Sequence, residues 1–309
     1  MSLDEFIITM FVTLDDQLTL TRQRLHVLHL RQRGLAPKLA DAEVLTMECV
    51  GEVLGLDCDK HLFAYFRRHY SHFFPALAHT HRTTFVRQAA NLWHVKEMLW
   101  RRLVGEVAAA DDRLHIVDSL PLPVCRFARA TFCQRFRGAA RYGKDHADRQ
   151  TFYGFRLHAR LTWPGLLSEV VLAPANASEQ SMLVPLASTA PANCAILGDR
   201  NYCVPRLKER LAAEGQHLLT PPARQAKHDP QAAHGHKTGH KWPYSNLRYR
   251  IETVFGQLTE RFHIKRVWAK DMWHLTGRIY RKVLAHTLVL ILNMEQGNTP
   301  LQFDQLLQA

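Results

Sequence analysis

The sequence lacks any apolar stretch long enough to cross a membrane. Its longest apolar runs, FIITMFVTL and VLAHTLVLILNM, are shorter than the roughly 20 residues that a membrane-spanning helix needs. The opening residues, MSLDEF, are acidic where a secretory signal would be basic. We therefore expect a protein that has no membrane partner and works in the cytoplasm.

Closely spaced cysteine pairs are also missing. Such pairs are the usual mark of a zinc site or a redox motif, and a disulfide framework is typical of small secreted chains. The cysteines of this chain are scattered and none forms a CxxC pair: Cys49, Cys58, Cys125, Cys133, Cys194 and Cys203. This pattern indicates buried or free thiols in a reducing compartment.

Acidic residues are scarce relative to basic ones. The chain has 28 Asp and Glu against 40 Lys and Arg, a formal net charge of +12 and a pI near 9.7. An excess of this size favours a polyanionic partner, with nucleic acid well ahead of a membrane surface. Seven Lys and Arg fall within residues 126–149 and seven more within residues 261–282. Such clusters bind DNA phosphates, although surface Lys and Arg also serve solubility alone.

Two smaller features near the basic clusters each have two interpretations. A histidine tract suits a metal site in residue type but lacks a full ligand set, so a polar loop touching DNA phosphates is the alternative; its members are His228, His234, His236 and His240. Three tryptophans are able to stack on unpaired bases, with core packing or a partner contact as the alternative; they are Trp242, Trp268 and Trp273.

Hydrophobic periodicity divides the chain into a helical part and a strand-rich part. Residues 1–111 have helical spacing with basic flanks, which suits a DNA-binding module of helix-turn-helix type or a helical lid with a solvated charged face. Residues 112–295 open with three strand patterns, LHIVDSLPLPV, TFYGFRLHARLTW and LLSEVVLAPAN, and continue with alternating helices and short strands. The predicted fold class is α/β, a mixed sheet flanked by helices, preceded by an all-helical N-terminal region.

Two segments stand apart within this organisation. Residues 221–245 show no usable periodicity, which predicts an exposed basic insertion. The segment NLRYRIETVFGQLTERFHI then has apolar residues three and four apart, a strong helix pattern. Residues 296–309 follow a long apolar helix and are predicted to form a C-terminal tail.

Three carboxylates fall at suggestive places in these elements. Asp118 lies in the first strand among apolar neighbours, where an unpaired carboxylate is costly unless a cation or a metal neutralises it. Asp199 follows the apolar strand CAIL, and Glu252 lies in the later helix, with Arg248 four residues before it and able to hold it. Singly, each acid also fits a cap or an ordinary ion pair. Together they converge at one edge of the predicted sheet.

Four sequence blocks resemble a known family. HIVDSLPLPV, TFYGFRLHARL, AILGDRNY and NLRYRIETVFGQLTERF are similar to the blocks of DDE transposases of bacterial insertion sequences, whose catalytic core has the ribonuclease-H-like fold. The resemblance implies that Asp118, Asp199 and Glu252 are catalytic and bind the metal, and that Arg248 orients a ligand or contacts phosphate. It also implies two Mg²⁺ ions as cofactors, with Mn²⁺ as a substitute. A related family pattern around the Glu is incomplete here, since Thr259 stands where a Lys would follow.

The resemblance implies a function as well. A transposase of this kind binds the terminal inverted repeats of its element and a target in double-stranded DNA, acting as a homo-oligomer in the bacterial cytoplasm at the nucleoid. It cleaves phosphodiesters and transfers the freed strand end by a two-metal mechanism. Two alternatives remain open at this point: a non-catalytic DNA-binding protein derived from such an element, and a metal-dependent nuclease of the same fold.

Overall fold

A computed structural model of the chain describes most of its length. The described residues are 1–27, 36–107, 112–145, 149–222, 244–266 and 268–307. Most of the predicted insertion at 221–245 therefore lies outside the described residues, and so do the whole histidine tract and Trp242.

Contacts between residues divide the chain into two compact units. We call Met1–Val107, Leu122–Ala140 and Gly256–Ala309 the helical unit, and Ala108–Pro121 with Arg141–Phe255 the sheet unit. The domain boundaries that the sequence predicts, after residues 111 and 295, follow chain order rather than contacts. Those boundaries stay a prediction.

The helical unit confirms the predicted helical N-terminal region. Its helices are α1 Leu3–Arg24, α2 Asp41–Val53, α3 Asp59–His69, α4 Arg82–Asn91, α5 Trp93–Glu106 and α9 Met272–Glu295. Ser2 and Glu5 start α1 with a capping box, in which the Glu5 amide donates to Ser2 Oγ at 3.2 Å and the Ser2 amide donates to Glu5 Oε2 at 2.7 Å. Most of α9 is buried, and it packs against α2 and α5. Of the helices that the structure describes, none combines the length and apolar character needed to span a membrane.

The sheet unit carries the strands that the sequence predicts, together with one that it does not. The strands are β1 Leu114–Pro123, β2 Arg141–Asp145, β3 Gln150–Thr162, β4 Leu167–Pro174, β5 Ala195–Leu197 and β6 His217–Leu219. The helices are α6 Glu179–Ala187, α7 Pro205–Ala213 and the first part of α8 Ser245–Glu260. The short polar strand β2 is the unpredicted one.

Among the described residues the strands form one mixed sheet. The order is β2-β3-β1-β5-β6, and β4 also pairs with β3. Both β2 and β4 run antiparallel to β3, whereas β1, β5 and β6 run parallel to one another. This is the predicted α/β class, a mixed sheet flanked by helices and consistent with the ribonuclease-H-like fold.

The core beside the parallel strands fixes where their ends lie. Val117 of β1, Ile196 of β5 and Leu218 of β6 are buried in one apolar cluster with residues of α6 and α7. Pro205 begins α7, and Gly215 follows its end with a φ of 75°, a conformation that suits glycine. This packing holds β1 and β5 together close to the positions of Asp118 and Asp199.

Candidate active site

The parallel pairing of β1 with β5 brings Asp118 and Asp199 to the same edge of the sheet. Ile116 of β1 is paired with Leu197 of β5. Each aspartate stands two residues beyond one member of this pair, and side chains two apart in a strand point to the same face. The sequence prediction that these two acids converge agrees with this register.

Asp118 is the acid whose surroundings are most fully defined. Its Oδ1 accepts a hydrogen bond from the Ser119 amide at 2.8 Å, and its Oδ2 lies 3.1 Å from Nη2 of Arg248. Burial, together with the smaller effects of the Glu179 and Asp199 charges, raises the pKa of Asp118 to about 6 against the opposing effects of Ser119 and Arg248. The cation that the apolar strand led us to expect is therefore present as Arg248, but its effect on the pKa of Asp118 is smaller than that of burial.

Asp199 begins the short turn that follows β5. Its Oδ1 accepts a hydrogen bond from the Asn201 amide at 2.8 Å, so the capping role that the sequence also allowed is real. Burial raises the pKa of Asp199, and the charge of Glu179 raises it further. A capping role and a catalytic role are compatible, since one carboxylate has a second oxygen to offer.

Tyr202 packs beneath this turn because the residue before Asp199 is a glycine. A Cβ atom at Gly198 would lie 2.8 Å from the Tyr202 ring, closer than side chains approach one another. Tyr202 is completely buried, and its hydroxyl has no hydrogen-bond partner among the described residues. Burial raises its pKa, and so do the charges of Glu179, Asp118 and Asp199. A buried orphan hydroxyl beside three acids is an unusual feature of a protein interior.

A fourth residue of the site, Glu179, is one that sequence reasoning missed. It is the first residue of α6, and its side chain is 16% exposed. Its Oε1 accepts a hydrogen bond from the Ser119 hydroxyl at 2.6 Å, and its Oε2 accepts one from Asn201 Nδ2 at 3.0 Å. The sequence pattern SEQSMLVPLAS predicts a helix start here, where an acid is ordinary, and carries no signal of the distant partners.

Glu252 is placed differently from the two aspartates. It is exposed on α8, and its side chain has neither a hydrogen bond nor an ion pair in the part of the chain that the structure describes. The expected contact with Arg248 is absent there, because the Arg248 guanidinium pairs with Asp118 instead. Residues four apart share one face of a helix, so Glu252 lies one turn beyond Arg248 on the face that supplies this contact. The structure thus brings Asp118, Asp199 and Arg248 together, whereas Glu252 is exposed and makes no described contact with them.

A cavity of about 530 Å³ opens in the sheet unit at Glu179 and Asn201. Its lining includes Lys144, Arg156, Glu179 and Asn201, so both acidic and basic groups face it. A charged cavity of this size is a common setting for binding, and it reaches the acids only through Glu179 and Asn201, since neither Asp118 nor Asp199 is among its lining residues.

Comparison with known protein families identifies the kind of domain that carries this site. The family described as transposase DDE domain matches residues 109–288, which is more than half of the chain. The chain belongs to this family. The match supports transposase function in general, with DNA as the substrate. No curated protein and no solved structure shows significant similarity to the chain.

Members of the transposase DDE domain family typically depend on divalent metal ions, so the fit of such an ion is worth testing. Within the described ranges no three His, Cys, Asp or Glu side chains are close enough together to hold a metal. Mg²⁺, however, commonly takes one or two carboxylates and completes its shell with water and substrate phosphate. Asp118 and Asp199 supply hard oxygen ligands on neighbouring strands, and the buried Tyr202 hydroxyl, whose pKa is raised by burial and by the charges of these acids, has no hydrogen-bond partner among the described residues. These residues therefore fit a divalent cation.

The two basic clusters, in residues 126–149 and 261–282, differ in the exposure of their side chains. All seven Lys and Arg of residues 126–149 are exposed: Arg126, Arg129, Arg135, Arg137, Arg141, Lys144 and Arg149. In the second cluster, Arg278 and Arg281 pair with Asp59, and Lys282 pairs with Glu52. These three residues are turned into the interior, so the prediction that the cluster binds DNA phosphates depends on its other members.

A basic groove of about 1350 Å³ lies within the helical unit. It is lined by Arg126, Arg129, Arg135, Lys265 and Arg266. Two aromatic side chains also line it, Phe132 at 82% and Trp268 at 56% exposure. Exposed aromatic rings beside cations are a common surface for unpaired bases. The stacking roles of Trp268 and of Trp273, which is 49% exposed, stay predictions.

Proposed function

We propose that this chain is the transposase of a bacterial insertion sequence. It binds the terminal inverted repeats of its element as a homo-oligomer, cleaves a DNA strand at each end and joins the freed 3′-hydroxyl to a target phosphodiester in the cytoplasm. The register that sets Asp118 beside Asp199, with Arg248 against Asp118, is the observation that supports this proposal most directly.

In this proposal each site residue has a distinct role. Asp118 and Asp199 hold Mg²⁺, or Mn²⁺ in its place, and Glu252 completes the site from α8. Two divalent ions, when bound, supply activation of the attacking oxygen and stabilisation of the charge on the leaving oxygen. Arg248 orients Asp118 by their ion pair and is close enough to the acids to contact a substrate phosphate. The exposed basic residues of 126–149 and the basic groove bind the DNA backbone.

Strand transfer separates this function from the two alternatives. A non-catalytic DNA-binding descendant binds the repeats but cuts nothing when Mg²⁺ is added. A nuclease of the same fold cuts, yet leaves the ends unjoined. The experiment uses labelled DNA carrying the element ends, an unlabelled target plasmid, and Mg²⁺ compared with EDTA.

The expected result is Mg²⁺-dependent cleavage at the repeat ends, followed by labelled product covalently joined to the plasmid. Shuffled repeats of the same length serve as the matched control and should be neither cut nor joined. Binding without cleavage would favour the first alternative, and cleavage without joining would favour the second.

A further inference from the structure

Glu179 connects the two residues that follow the proposed metal-binding acids. Ser119 comes directly after Asp118, and Asn201 comes two residues after Asp199. The Ser119 hydroxyl and the Asn201 side-chain amide each donate to a different oxygen of the Glu179 carboxylate, at 2.6 and 3.0 Å. One side chain therefore bridges β1 to the turn after β5.

The bridge is itself held in place from two sides. Arg156, a buried residue of β3, donates from Nη1 to Ser119 Oγ at 2.9 Å and lies 3.6 Å from Glu179 Oε1. Its Nη2 donates to the backbone carbonyl of Lys144 in β2. Because Glu179 sits at the first position of α6, its backbone is also fixed by that helix. A carboxylate so anchored resists displacement better than one on a free surface.

Each aspartate is also attached to the residue that the bridge holds. Asp118 Oδ1 accepts from the Ser119 amide, and Asp199 Oδ1 accepts from the Asn201 amide, both at 2.8 Å. The sequence of contacts thus runs from one acid through Ser119, Glu179 and Asn201 to the other acid. Groups that support metal ligands in this way commonly set the affinity of the site for its ion.

We propose that Glu179 is a positioning residue that holds Asp118 and Asp199 at the separation a shared divalent ion requires. Both of its oxygens accept hydrogen bonds, from Ser119 and from Asn201, so it acts through these neighbours. This inference rests on the proposed function, in which the two aspartates bind metal. It adds a residue to which the family resemblance assigns no role.

The test measures metal affinity directly, without DNA or catalysis. Mn²⁺ binding to the full chain is followed by electron paramagnetic resonance for wild type, Glu179→Gln, Asp118→Asn and Asp199→Asn. Glu179→Gln keeps the shape of the side chain but turns one of its two acceptors into a donor, so one arm of the bridge loses its carboxylate acceptor. We expect its Mn²⁺ dissociation constant to rise about tenfold, whereas Asp118→Asn and Asp199→Asn abolish binding.

Glu169→Gln is the matched control in the same unit. Glu169 is a buried glutamate of β4 that accepts from the Thr189 hydroxyl at 2.9 Å, and its charge acts on Arg160. It resembles Glu179 in having a hydroxyl and an arginine as partners, but nothing joins it to the aspartates among the described contacts. Its Mn²⁺ affinity should equal that of wild type even if its melting temperature falls.

A second pair of variants keeps the inference testable if Glu179→Gln does not fold. Ser119→Ala and Asn201→Ala each remove one arm of the bridge, and each should weaken Mn²⁺ binding. In the double variant Ser119→Ala with Glu179→Gln the effects should be less than additive, because both changes disrupt the same bridge. Additive effects would mean that the two residues act independently and would overturn the bridge.

The outcomes separate this inference from the proposed function. Wild-type Mn²⁺ affinity in Glu179→Gln, with binding lost in the two aspartate variants, overturns the positioning role alone. Complete loss in Glu179→Gln, equal to that in Asp118→Asn, makes Glu179 a ligand and also overturns it. Wild-type affinity in both aspartate variants contradicts the metal site of the proposed function itself.

Discussion

The helical unit and the sheet unit both bury charged side chains, but they neutralise them to different degrees. In the helical unit, Lys96 Nζ lies 2.6 Å from Glu48 Oε2 and Lys282 Nζ lies 2.5 Å from Glu52 Oε2, while Arg281 pairs with Glu48, Glu52 and Asp59. Every one of these acids faces at least one buried cation. In the sheet unit, Asp118 has Arg248 as its cation and still shares its surroundings with two further acids.

The pKa values of one aspartate from each unit express this difference. Burial raises the pKa of Asp59, but Arg281 and Arg278 outweigh that effect and the net pKa is lowered. For Asp118 the same balance goes the other way, and the pKa rises to about 6. Compensated charge is what a structural network requires, whereas uncompensated carboxylates cost stability and are tolerated where a function uses them. The comparison therefore points to the sheet unit for chemistry and to the helical unit for architecture.

The largest effect should come from breaking the compensated network. Glu52→Gln removes a carboxylate that is 1% exposed and leaves Arg281 and Lys282 with unbalanced buried charge. We expect a loss of about 3–5 kcal/mol in the free energy of unfolding, measured by urea denaturation. The exposed Glu260→Gln is the control and should change this value by less than about 0.5 kcal/mol. A loss in Glu52→Gln as small as in the control would contradict the description of this network.

The second largest effect is expected in Asp118→Asn, which should be more stable than wild type by an amount that depends on pH. Because the pKa of Asp118 is raised from 3.8 to about 6 in the folded protein, the wild type loses up to about 3 kcal/mol of stability as the pH rises from 4 to 7. Asp118→Asn has no such loss. In metal-free buffer it should therefore melt higher than wild type at pH 7, with the difference shrinking towards pH 4.

Asp59→Asn is the natural counterpart of that variant. The pKa of Asp59 is lowered, so its ionised form stabilises the folded state above the unfolded pKa and that stability is lost as the pH falls. Asp59→Asn should therefore melt lower than wild type at pH 7, with a difference that persists down to about pH 4 and shrinks only below the unfolded pKa of 3.8. If both variants melted higher than wild type at pH 7, or both melted lower, the contrast between the two units would be contradicted.

The third prediction separates exposed from buried cations by the salt dependence of DNA binding. If about seven phosphates are contacted, the logarithm of the binding constant should fall with the logarithm of salt concentration at a slope of about −6. Arg126→Gln together with Arg129→Gln removes two exposed cations of the groove and should reduce the slope by about 2. Lys282→Met removes a buried cation, 3% exposed, and should leave the slope unchanged in the folded protein. A slope near zero for wild type would contradict the electrostatic account.

The smallest effect is expected at the orphan hydroxyl beside the acids. Tyr202→Phe removes a buried group that has no partner among the described residues, so little bonding is lost. The free energy of unfolding should stay within about 1 kcal/mol of wild type or rise slightly. A loss above about 2 kcal/mol would show that the hydroxyl is bonded in solution, in which case the negative charge at the site is better compensated than we describe.

Much of the sheet unit follows from local sequence pattern. The strands β1, β3 and β4 have the length and apolar content that predict a strand, and Pro205 and Gly215 mark the two ends of α7. The strand β2 is missed because Arg141–Asp145 is short, polar and mostly exposed, and only its pairing with β3 makes it a strand.

Long-range partners explain what the sequence could not predict in either unit. Arg278, Arg281 and Lys282 are indistinguishable from a DNA-binding cluster until α9 is placed against Glu52 and Asp59, more than 200 residues earlier in the chain. Glu179 is likewise an ordinary first residue of a helix until Ser119 and Asn201 meet its carboxylate. The places of Asp118 and Asp199 in and after apolar strand patterns predict their convergence, whereas the parallel pairing of β1 with β5 and the exposure of Glu252 depend on long-range packing.

The most direct test of the central claim measures cleavage and stability on the same three variants, Asp118→Asn, Asp199→Asn and Glu252→Gln. Each replaces a carboxylate by an amide of the same size, which is a poor ligand for Mg²⁺. The account predicts that Mg²⁺-dependent cleavage of repeat-end DNA is almost completely lost in all three, while DNA binding is retained and the metal-free melting temperature is level or raised. Cleavage at the wild-type rate together with a lowered melting temperature in any one variant would contradict the assignment of that acid to the site.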